Sequence, residues 1–280
     1  MKNCFARCAV SALLFGLAVV TSATSAHAEE LEVKGALAKP VLFVSAASVE
    51  QLVGEFNYAM DAIERHDIVK TFEEFRESSE NLKGMDLTRP VGGMLLLEYL
   101  SPVWIGFIPI RDWDHFRETL EEFELKIEET GSNQYLIRGF GMDLFGVVRD
   151  GYLYVSDQKA GLKRRVPNPE EYAKQLHEDY DLAVTGQLTV IPEFLLTTAA
   201  DWTLTEIVVS DESEKADAAP QTQDKIDEFA ERLFRDGMLT LFKETQRVTL
   251  GWSVNRQERQ ARLDLVLAAK PGSVLARQLN

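Results

Sequence analysis

The sequence predicts an α+β protein whose sheet is mostly antiparallel, with helices on one face. Three observations predict it. Strand-like runs come in adjacent pairs joined by short turn signals, which makes them hairpins. Capped amphipathic stretches separate these pairs. The order strand, helices, hairpin, helix occurs twice, starting at Val41 and again at Leu182.

Each element has a local reason. The apolar run 41–44 reads as a short buried strand. Ser48 followed by Gln51 is a capping-box start. Val49, Leu52, Val53, Phe56, Met60 and Ile63 then recur at helical spacing, as the inner face of a helix would. Ile68, Val69, Phe72, Phe75 and Leu82 predict a second helix that stops near Gly84. Strands at 93–99 and 103–110 flank Ser101-Pro102, the expected turn. Asp112 can cap a helix with Trp113, Phe116, Leu120 and Phe123 inside.

Residues 125–129 and 134–138 alternate like strands. So do 144–149 and 152–156, joined by Asp150-Gly151, a strong hairpin signal. Asn168-Pro169-Glu170-Glu171 opens a short helix with a cap and a proline at the first helical position. A strand at 182–190 is ended by Pro192, and Phe194, Leu195 and Leu196 sit in a helical stretch. Ile226, Phe229, Ala230, Leu233, Phe234, Met238 and Leu241 form an amphipathic pattern weakened at Gly237. Residues 248–254 and 261–269 make a last hairpin, and Pro271 begins a final short helix.

In the first unit, a strand after the Trp113 helix completes βαββαβ, the ferredoxin-like order. The second unit reaches Asn280 before such a strand, which leaves a fragment or a slot filled by another segment as alternatives. The expected organisation has a signal segment at 1–28 and a mobile lead-in at 29–39. Two coarse ferredoxin-like (βαββα) units follow at 40–166 and 167–280. The second carries a polar, acidic, alanine-rich loop at 210–223.

The first 28 residues read as an address. Lys2 and Arg7 precede an apolar run of about 12 residues, short of the roughly 20 that span a bilayer. Ala26-His27-Ala28 is an A-x-A cleavage pattern. Cys4 and Cys8 lie before the apolar run, where a lipidated cysteine would not be. Cleavage near Ala28 therefore predicts an exported protein, periplasmic or extracellular. It removes two cations and no acid, so 252 residues remain with the net charge moved from −15 to −17. Both cysteines go too, which excludes disulfides and thiol chemistry in the mature chain. A polyanion is repelled by nucleic acid and by anionic membrane surfaces, and no later segment reads as a membrane span.

Recognisable chemistry is sparse. His66, His115 and His177 are far apart and no H-E-x-x-H exists, so no metal site is expected. Asp112 and Asp114, beside His115, read as helix-terminal acids. No G-x-S-x-G elbow occurs, although a triad can assemble from distant residues. Gly139-Phe140-Gly141 lacks the third glycine, Leu144 standing in its place, so no phosphate-binding loop or cofactor is expected. With 45 acids, some pair falls about 5–9 Å apart by chance, the range glycosidases use. Glu73, Glu74, Glu77 and Glu80 read as one solvated helix face, and Glu118, Glu121, Glu122 and Glu124 as another. Trp104, Phe107 and Trp113 fit core spacing better than a carbohydrate groove. No catalytic residue can be named.

Several stretches resemble a family of uncharacterised exported proteins of planctomycete-type bacteria: PVLFVS at 40–45, RPVGGMLLLE at 89–98, FIPIRD at 107–112, GYLYVSD at 151–157, YDLAVTG at 180–186 and KPGSVLARQ at 270–278. Members of that family often continue into further copies of the module, and the resemblance implies no agreed activity. The expected role is a non-catalytic binding or envelope-assembly module. It would bind an unknown protein partner, or associate with itself through a sheet edge. The alternative is a carboxylate-dependent hydrolase of envelope polysaccharide or peptide.

Overall fold

A computed structural model describes residues 37–62, 64–65, 70, 82–98, 101–139, 141–198, 237 and 239–279. The signal segment 1–28, most of the lead-in, and the helix of Ile68, Val69, Phe72 and Phe75 lie outside these residues. So do the acidic loop 210–223 and the amphipathic pattern from Ile226 to Phe234.

Strand β1 (Leu42–Ala46) leads into helix α1 (Val49–Ala62). Ser48 caps α1, its Oγ accepting the Gln51 N–H at 3.0 Å. Strands β2 (Val91–Glu98) and β3 (Ser101–Pro109) form the first hairpin. Contrary to the expectation from sequence, Ser101 and Pro102 are not its turn. They already belong to β3, opposite Glu98 and Leu97. Helix α2 (Trp113–Glu122) follows the Asp112 cap, and Phe116, Thr119 and Leu120 are its buried residues.

A four-stranded meander comes next: β4 (Lys126–Gly131), β5 (Gln134–Gly139), β6 (Met142–Arg149) and β7 (Tyr152–Ser156). Asp150 and Gly151 join β6 to β7 with φ of 53° and 72°. Two positive values in a two-residue loop match the twist of the flanking strands, which is why Asp-Gly serves there. Short helices α3 (Lys159–Leu162) and α4 (Pro169–Ala173) follow, α4 capped by Asn168 with Pro169 at its start. Strand β8 (Leu182–Gln187) ends earlier than predicted, because residues 188–190 turn into a 3-10 helix before Pro192 is reached. The last hairpin is β9 (Thr245–Asn255) and β10 (Gln260–Ala269), then α5 (Val274–Leu279).

The ten described strands form one antiparallel sheet, in the order β10-β9-β8-β1-β2-β3-β7-β6-β5-β4. The α+β class therefore holds. The ferredoxin-like order does not appear in the first unit. A split βαβ needs a strand between the two that the helix joins, whereas β1 and β2 are direct antiparallel neighbours, Val44 opposite Gly93.

Helices on one face alone is a second correction. Strands β3 and β7 are apolar on both faces, and every residue of β7 is buried. One face packs Ile108, Ile110, Leu153 and Val155 under Val49 of α1 and Phe116 and Leu120 of α2. The opposite face packs Phe43, Ile105, Phe107, Tyr152 and Tyr154 with Leu162 of α3 and Ala173 of α4. Phe43 stacks on Phe107 at 5.4 Å between ring centroids. Fully burying such a side chain contributes about 1.5–3 kcal/mol.

Two compact units divide the chain. One holds the described residues up to Thr185 with Leu250–Asp264. The other holds those of Gly186–Thr249 with Leu265–Asn280. Within the second, Glu244 Oε2 accepts the Leu275 N–H at 2.7 Å and Lys243 pairs with Glu193 at 2.8 Å. No helix among the described residues is long and apolar enough to cross a membrane.

Candidate functional site

Most residues singled out from sequence land in structural roles. Asp112 caps α2: its Oδ1 accepts the His115 N–H at 3.1 Å, and Oδ2 lies 3.1 Å from His115 Nδ1. That hydrogen bond holds the Asp112 carboxyl below its usual range. Glu118, Glu121, Glu122 and Glu124 are exposed. Glu73, Glu74, Glu77, Glu80 and His66 lie outside the described residues. Phe107 is fully buried, and Trp113 packs 4.3 Å from Tyr135, so neither lines a groove. Gly139 ends β5 and Gly141 precedes β6. No cluster of three or more His, Cys, Asp or Glu suited to a metal occurs among the described residues.

The structure also gathers polar groups that sequence did not connect. Asp181, just before β8, is their hub. Its backbone carbonyl accepts the Ala47 N–H at 2.8 Å, and its own N–H donates to Trp252 O at 2.8 Å. Its Oδ2 accepts the Val254 N–H at 2.7 Å, and Oδ1 accepts from Gln51 Nε2. Gln51 thus turns away from the reciprocal half of the capping box to tie α1 to this carboxylate.

Glu55, one turn further along α1, is only 6% exposed. Burial raises its pKa to about 7, reinforced by a hydrogen bond to Asp181 and by that group's charge. Gln51 and the Arg256 guanidinium oppose the rise. Arg256 lies over the helix backbone at Gly54, where an added Cβ would collide with its Nη2. Glu55 is therefore held toward its protonated form, and its Oε2 stays buried without a hydrogen-bond partner.

Beside this pair, His177 Nδ1 lies 2.9 Å from Tyr180 O and Nε2 lies 2.8 Å from Ser45 Oγ. A carbonyl only accepts, so Nδ1 carries the proton and Ser45 donates to Nε2. Burial lowers the His177 pKa, in keeping with a neutral ring. A serine donating to a histidine is how a nucleophile is activated. Ser45, however, is completely buried within β1, so no substrate carbonyl reaches it. The carboxyl pair is closed in a comparable way. Carboxyls in hydrogen-bond contact leave no room for a glycosidic bond, which needs about 5 Å or more. These groups act as a tether joining β1, α1, β8 and β9.

The sheet edges are different in kind. Strand β4 guards its edge with Lys126, Glu128 and Glu129 and with a register shift between Glu129 and Gly131. Strand β10 is long and exposes Leu263 at 64%, Leu265 at 66% and Val266. On the face opposite Leu263 and Leu265, which Val266 shares, Arg262 meets Asp264 at 2.7 Å and lies 5.8 Å from the Tyr180 ring centroid. Sequence showed β10 as a strand. It did not show that β10 stands at the margin of the sheet, because strand order depends on pairings distant in sequence.

Compared with family models, curated proteins and solved structures, the chain matches none.

Proposed function

We propose that this protein is an exported, non-catalytic assembly module that makes its contact by strand addition along β10. One observation carries the reading: a ten-residue edge strand presents large apolar side chains to solvent, while the opposite edge is guarded by charge. An unguarded edge offers backbone donors and acceptors to an incoming strand, and alternate side chains supply the contact area. The signal-like residues 1–28 and the likeness of its strand motifs to an exported family support an envelope setting. The acidic balance of −15 speaks against nucleic acid as the partner. The hydrolase alternative draws on Glu55 and Asp181, and their contact spacing and tethered oxygens speak against it.

Site-specific photo-crosslinking in the native cell tests the reading. A benzophenone side chain at position 263 is expected to give a discrete adduct. The same group at position 128 on β4 is expected to give none. Absence of any adduct from position 263 would overturn the proposal.

A further inference from the structure

The order of the sheet bears on what covers β10. Strands β1-β2-β3 and β8-β9-β10 run outward in opposite directions from the β8–β1 junction, so β10 holds the place in its trio that β3 holds in the other. Strand β3 is covered on its far side by β7, antiparallel, with Phe107 opposite Tyr154. No described strand lies against β10.

Resting on the strand-addition reading, we infer that the strand covering β10 is β10 of a second copy of this chain, antiparallel and centred on Leu263. A two-fold pairing centred on a residue keeps each sheet face continuous, and its charges decide the centre. Centring on Arg262 or Asp264 sets like charges opposite one another, which is destabilising. Centring on Leu263 sets Arg262 against Asp264 of the second copy, twice. On the other face it sets Leu263 against its own counterpart and Leu265 against Ala261. The intrachain Arg262–Asp264 pair then becomes one half of a four-charge ring. Tyr180 beneath it, held neutral by burial and by Asp264, adds no charge of its own.

Complementation by sedimentation velocity tests this. The wild-type chain dimerises as concentration rises. Arg262→Glu alone and Asp264→Arg alone each place like charges across the axis and dimerise about tenfold more weakly, or worse. An equimolar mixture of the two variants recovers dimer, because every cross-axis pair is then opposite in sign. Misfolded chains would not recover on mixing, so the result does not depend on either variant's own stability. A wild-type chain that stays monomeric, or a mixture no better than its components, overturns the inference. If position 263 still crosslinks to a different protein, only the second-copy assignment falls. If it crosslinks to nothing, the strand-addition reading falls with it.

Discussion

Asp181→Ala is expected to lower stability by about 3 kcal/mol at pH 5. At that pH Glu55 is largely protonated, and the substitution removes the carboxylate that the Val254 N–H and the Gln51 amide both use. Losing a charged acceptor leaves a backbone donor unpaired, and Glu55 loses its buried partner as well. The backbone bonds of residue 181 to Ala47 and Trp252 remain, so the chain should still fold. Urea unfolding of wild type and variant at one pH measures the difference. A loss under about 0.5 kcal/mol would mean that Asp181 does not anchor α1 to β9.

Glu55→Gln is expected to raise stability at pH 8 by on the order of 2 kcal/mol and to leave it nearly unchanged at pH 4. The folded pKa of Glu55 is about 7 against an ordinary 4.5, so the folded chain binds the proton more tightly than the unfolded chain. The stability linked to that proton is complete below pH 4.5 and is lost as pH rises through 7. Glutamine keeps the shape and cannot ionise, so the loss is absent in the variant. His177 works in the opposite sense. Its lowered pKa makes the unfolded chain the better proton binder below about 6.5, so its share of the stability falls with acid. The difference between wild type and Glu55→Gln cancels the His177 contribution, which both carry. Denaturant midpoints between pH 4 and 8 read it directly, and parallel profiles for the two proteins would contradict the raised pKa of Glu55.

Local chemistry was legible in the sequence wherever it acts locally. Asp112, Ser48 and Asn168 cap the helices they were expected to cap, and Asp150-Gly151 closes its hairpin, because these signals act over two or three residues. The face of α1 was misread. Leu52 and Phe56 are partly exposed while Glu55 is buried, because Asp181 and Arg256, far along the chain, supply a polar seat that periodicity cannot register. Helices on one face failed for a related reason. Runs such as 103–108 and 152–155 are apolar without alternation, the mark of a strand covered on both sides, and that mark could have corrected the expectation. The edge position of β10 had no local signal. The bare Leu263 and Leu265 were the only hint, and an apolar residue in a strand usually reads as core.

Backbone hydrogen exchange along β10, measured in the purified chain across a concentration series, tests the central claim most directly. The account predicts that alternate amides of residues 260–266, those facing away from β9, slow markedly as the chain concentrates, while the outer amides of β4 keep exchanging freely. Outer amides of β10 that exchange at one fast rate across the whole series would contradict it.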